Sequence, residues 1–185
     1  MEVLVGGGVL LLLLSALYLL LVFGLRYYRA AYAVETVHQQ SLLTLRKLSA
    51  ELRRSHPATV TYGPGFVWFL SPDPPTATPG PWTYASDGSL EWHTWIGYYL
   101  NGTELVRSEL PLGTPALVPP VPAAPTLTDF QVASSRRTVA REIQTLNAAA
   151  GTAPELVELV VTARVPTASN KFTEVTLRTQ VHPEN

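Results

Sequence analysis

Val3 to Leu25 reads VLVGGGVLLLLLSALYLLLVFGL, and Arg26 to Ser55 continues RYYRAAYAVETVHQQSLLTLRKLSAELRRS with no proline and no glycine. The first run holds no charge; at 1.5 Å per residue it spans roughly 35 Å, enough for a bilayer's hydrocarbon core. A cleavable signal peptide would need a basic n-region, a shorter apolar core and a small-residue cleavage site, whereas here Glu2 stands before the apolar run. In the second run Val34, Val37, Ser41, Leu45, Leu48 and Leu52 recur every three or four residues and form one apolar stripe. Glu35, Gln39, Arg46, Lys47, Arg53 and Arg54 take the other faces. Pro57 ends the pattern, because the residue before a proline is pushed out of the α region. The sequence therefore predicts one helix from about residue 2 to 55, roughly 80 Å long, whose first half lies in lipid and whose second half needs a packing partner. A coiled coil is the other use of such a stripe, but the heptads are few and irregular.

Outward from the helix, residues 57–185 read as one β-rich domain, with 1–25 the transmembrane half of the helix and 26–56 its amphipathic half. Ala58 to Tyr62 and Phe66 to Leu70 (FVWFL) are strand-like, and the second is apolar enough to be central. Ser71 to Trp82 (SPDPPTATPGPW) can only be a loop. Asp87-Gly88 and Asn101-Gly102 are hairpin signals, and a type I′ turn is expected at the second. Pro111 to Pro125 reads as a second proline-rich loop. Thr126 to Val132, Leu156 to Val165 and Phe172 to Val181 read as strands, the last alternating most cleanly. Thr138 to Ala150 reads as a short helix or a crossing segment. The fold class is α+β: a long N-terminal helix packed on an antiparallel β-sheet with proline-rich loops.

Composition narrows the function. The 13 basic and 14 acidic residues nearly cancel, which gives no basic footprint for nucleic acid. The absence of cysteine excludes disulfides, thiolate metal sites and cysteine nucleophiles. His38, His56, His93 and His182 lack ligand spacing, and Asp73, Asp87, Glu91 and Glu109 are not spaced as an acid–base pair. No phosphate-binding, dinucleotide-binding or nucleophile-elbow motif occurs. The residues call for no catalysis, no cofactor, no metal and no small-molecule substrate. The partners expected are membrane lipid and other protein subunits. Gly6, Gly7 and Gly8 suit close helix packing in a membrane, against the plainer reading of a flexible point. Trp82, Trp92 and Trp95 belong to an aromatic-rich middle; core packing is the simpler reading, and a partner surface is the other. Tyr27 and Tyr28 suit an interfacial belt, with Arg26 and Arg29 snorkelling to headgroups. Those arginines flank the C-terminal side of the apolar run, so the positive-inside rule alone would put the domain in the cytoplasm.

Met1-Glu2-Val3-Leu4-Val5, the apolar run after it and the helix from Gln39 to Ser55 resemble type IV pilins and type II secretion pseudopilins, minor members above all. FVWFLSP, WIGYYLNGTELVRSELPL and the terminal TLRTQVHPEN are similar to prepilin-type proteins of that group. The resemblance implies a pilin-like fold, anchorage in the inner (cytoplasmic) membrane with the domain on the periplasmic or outer side, and assembly into a pilus or secretion pseudopilus. It assigns Glu2 to subunit register, by pairing with a neighbour's N-terminal amine, against the plainer reading of a carboxylate solvated at the interface. It also implies a basic leader ending in a Gly-Phe junction before the segment that Met1 opens, unless processing has been lost. A bitopic accessory subunit of a larger membrane complex, derived from such an ancestor, is the alternative.

Overall fold

The computed structural model describes residues 2–73, 82–153, 155–166 and 172–184, with side chains from residue 5 onward in the first helix. Helix α1, Glu2–Arg53, is continuous for 52 residues. Its second half packs through the expected stripe: Val37, Ser41, Leu45, Leu48 and Leu52 are buried, and Val34 is half-buried against the same core. Burying a Val or Leu side chain contributes about 1.5–3 kcal/mol, so this stripe holds the helix to the domain.

The domain has two antiparallel sheets. The first is a meander in the order β1–β5: β1 (Thr61–Gly63), β2 (Phe66–Ser71), β3 (Trp92–Asn101), β4 (Glu104–Ala116) and β5 (Arg137–Ala140). The second orders β6 (Ile143–Ala150), β7 (Val157–Pro166) and β8 (Phe172–Val181). Helix α1 packs on β5, β7 and β8. One core joins its stripe to Val67, Phe69, Ile96, Tyr98 and Leu105 of the first sheet and Leu146, Leu159, Val161 and Val165 of the second. The first sheet is covered on its other face too. There Trp68, Leu70, Trp92, Trp95, Tyr99, Val106 and Phe130 form a second core. FVWFL is accordingly buried on both faces, as a central strand must be.

Four local expectations are corrected. Thr126 to Val132 is not a strand but opens a short helix, α2 (Leu127–Val132), fixed by a capping box in which Thr126 and Asp129 satisfy each other's backbone N–H. Thr138 to Ala150 is neither helix nor loose crossing: it contributes to β5 and β6, which meet at a corner where Glu142 takes a positive φ of 60°. Pro111 to Pro125 is not loop throughout, because β4 continues to Ala116 with Thr94 opposite Pro111. A proline is tolerated there because β5 pairs with β4 only as far as Arg107, which leaves β4 an edge at Pro111. At the β3–β4 hairpin Asn101 pairs with Glu104, so Gly102 and Thr103 are the central residues. Only Gly102 has positive φ, which is the II′ pattern and not I′. The Asp87-Gly88 signal marks a turn closed by a single bridge, Tyr84 to Leu90. Most of the Ser71 to Trp82 segment lies outside the described residues.

Candidate functional site

Two regions of α1 carry the features that matter for function. In the first, every side chain from Val5 to Leu21 is exposed; Leu12 and Leu20 leave 72% and 73% of their surface uncovered. The stretch is long and apolar enough to cross a membrane. A Cβ added at Gly6, Gly7 or Gly8 would meet nothing within 4 Å, so no contact within the chain calls for glycine there. Each glycine costs a helix interior about 1 kcal/mol relative to alanine in water. Glu2 opens the helix, and its side chain lies outside the described residues. Beyond Leu25 comes a collar of exposed Arg26, Tyr27, Tyr28, Arg29 and Tyr32, with the rings of Tyr28 and Tyr32 stacked at 6.4 Å.

The second region is a polar tie between α1 and the first sheet. Glu51 lies one position from the apolar stripe. Its Oε2 accepts from Arg107 Nε at 3.0 Å and from the Tyr98 hydroxyl at 2.8 Å. Arg107 also pairs with Glu109, and Lys47 Nζ lies 3.9 Å from Glu51 Oε1. Strand β4 explains the placement: Leu105 and Arg107 share the face toward α1, whereas Val106 turns to the second core. Only 5% of Arg107 is exposed. Burial alone would lower its pKa, but the Glu51 carboxylate and the hydrogen bonds Arg107 donates to Glu51 and Glu109 outweigh it, so the net shift is upward. Burial, then the Glu51 charge, push the Tyr98 phenol well above its usual range. Burial lowers the Lys47 ammonium despite the opposing pull of Glu51. The tie holds four charges and a phenol at a helix–sheet seam and bonds the helix to the first sheet at this one level.

Trp92 and Trp95 are each 2% exposed, so both are core residues and neither forms an outer surface. Trp82 is half-buried, and its indole donates to Asp73 Oδ1 at 3.3 Å. The carboxylates do not gather. Asp73 pairs with Arg54 and Glu109 with Arg107, while Asp87 caps the amide of Ser89. The histidines are equally separate: His56 Nδ1 accepts from the Ala58 amide, His93 meets Thr83, and His182 pairs with Glu155. No group of three His, Asp or Glu side chains able to hold a metal exists among the described residues. A hollow of about 500 Å³ between Gly65, Leu100, Leu146 and Asn147 has no titratable side chain in its wall. Another, of about 240 Å³ beside Lys47, Tyr98 and Arg137, has no carboxylate or imidazole to act as a base.

Sequence reasoning missed the Glu51–Arg107–Tyr98 tie. A signal existed in TELVRSEL, where Arg107 stands on the face of Leu105 at an apolar position of the alternation. Compared with known protein families, curated proteins and solved structures, the chain matches none.

Proposed function

We propose that this chain is a non-catalytic, membrane-anchored, pilin-like subunit that assembles through its N-terminal helix with the helices of other subunits, in a type IV pilus or a secretion pseudopilus. The observation that carries this reading is one unbroken helix whose apolar stretch is uncovered from Val5 to Leu21 and whose second half is the spine of a sheet domain. An uncovered apolar helix is stable in lipid, and small residues let a second helix approach it there. Gly6, Gly7 and Gly8 are the candidate contact, and Glu2 the candidate register residue. The membrane is the inner one, with residues 57–185 on its periplasmic side; Arg26 and Arg29 pull toward the opposite sidedness.

The chain has no cysteine, so single cysteines at Leu10, Leu14 and Leu17 can be cross-linked in native membranes without background. A ladder of multimers is expected, lost on Gly7→Leu or Glu2→Ala while membrane insertion persists. Monomer alone at every position would overturn the proposal. A single product with one unlike protein would replace it with the accessory-subunit reading. A reporter fused after Asn185 that is active only in the cytoplasm would reverse the sidedness.

A further inference from the structure

We infer that the globular domain is seated on the bilayer surface, with Phe172 at the start of β8 in the headgroup layer beside the Arg26–Tyr32 collar. The inference rests on α1 crossing the membrane and goes beyond it by naming a second point of contact with lipid.

The distance along α1 is short. Arg29 belongs to the exposed collar, and Ala33 already packs against the core. Four residues of helix advance only about 6 Å, so no spacer separates the collar from the domain. The end of the domain nearest the collar follows from the strands. The Glu184 amide donates to the Arg53 carbonyl at 2.8 Å, which ties the end of β8 to the far end of α1. Val157 pairs with Val181 at that end, and Pro166 pairs with Phe172 at the other. Both strands pack on α1, and Val165, beside Pro166, is only 3% exposed. Strand β5 meets the helix further along, where Thr44 Oγ1 donates to the Val139 carbonyl at 3.1 Å. That leaves Ala33, Val34 and Val37 to cover Val165, which sets Phe172 at the collar's level. Ten strand residues and the helix from Ala33 to Arg53 are both about 30 Å long, which agrees with this placement.

Phe172 itself is 52% exposed, with the Arg164 guanidinium 4.0 Å over its ring. Glu174 is the acidic neighbour, 3.9 Å from Arg164 Nε. An aromatic ring paired with a guanidinium suits the boundary between headgroups and acyl chains, where one end is apolar and the other wet. Arg26 and Arg29 add positive charge at the same level, which fits anionic headgroups. The occupant of this surface is therefore the phospholipid layer that α1 crosses.

Nitroxide labels on single cysteines test this in the full chain, reconstituted in phosphatidylcholine vesicles with and without phosphatidylglycerol. Glu174→Cys reports on the seat with Phe172 in place, Thr152→Cys on the far end of the sheet, and Leu17→Cys on the anchor. The label at 174 should lose accessibility to an aqueous nickel chelate relative to 152, more so with phosphatidylglycerol. Adding Phe172→Ser should restore its accessibility, and Arg26→Gln with Arg29→Gln should erase the difference between the two lipids. Equal aqueous accessibility at 174 and 152, with 17 shielded in lipid, would overturn the seat and leave the anchor standing. A water-exposed label at 17 would overturn both.

Discussion

From Val5 to Leu21 the side chains of α1 are all exposed, whereas from Val37 to Leu52 the same helix buries a valine, a serine, a threonine and three leucines against two sheets. The uncovered half is the more apolar of the two, which reverses the order expected of a helix in water. None of the described residues covers it, while the packed half carries its partner in the same polypeptide. The packed half also has what the other lacks: a buried ionic tie, Glu51 to Arg107, that makes one rotation of the helix better than its neighbours.

Four measurements can break or sharpen that contrast. The largest effect is expected from Arg107→Ala, which takes its cation from Glu109 and leaves Glu51 only the more distant Lys47. Breaking a buried pair on one side costs about 3–5 kcal/mol, read as a lower unfolding midpoint of the detergent-solubilised chain. Replacing Glu51 and Arg107 together by leucine and methionine should recover most of it. No recovery would mean that the tie is not a closed pair. Next, Leu48→Ala should cost about 3 kcal/mol through the cavity it leaves, while Leu14→Ala should stay within about 0.5 kcal/mol in the same assay. Equal costs would erase the distinction between the halves.

Leu17→Arg should act in the opposite place. It adds about 3 kcal/mol against membrane insertion and leaves the domain folded. Carbonate extraction would show the chain released from membranes with its near-ultraviolet circular dichroism unchanged. The smallest effect at neutral pH comes from Tyr98→Phe, about 1 kcal/mol for one hydrogen bond to Glu51. Its signature is in the alkaline limb. The folded-state phenol is raised, so its contribution is fully present below its ordinary value of about 10 and is lost as pH rises from there through the higher folded-state value. Tyr98→Phe should flatten this limb, and a chain whose stability falls equally with and without the phenol would dissociate Tyr98 from the tie.

The helix was legible in the sequence because its signals are redundant: thirty residues without glycine or proline, a stripe at 3.6-residue spacing, and Pro57 as a stop. Strand β8 was legible because Val175, Leu177, Thr179 and Val181 alternate with polar residues. Helix α2 was not, since Thr128, Phe130 and Val132 favour strands and alternate at period two. What decides it is tertiary: Phe130 is fully buried and its ring sits where a Cβ on Gly97 would be, 2.7 Å away. The Thr126-x-x-Asp129 capping box was the one local clue. Strands β5 and β6 hid behind the alanines at 148–150 and a corner at Glu142. The polar tie was legible only from the β4 side, because Glu51 reads as one more surface charge until a buried arginine faces it.

The helix passes from the collar into the domain without a break or a glycine, and this has a mechanical consequence. Nothing between Leu25 and Arg53 can act as a swivel, so anchor and domain turn as one lever. A tilt of about 20°, the average for helices in a bilayer, acting over the roughly 30 Å from Ala33 to Arg53 would swing the far end of the domain by about 10 Å. Any sideways pull on the uncovered half would then arrive at the far end of the domain as a sideways stroke.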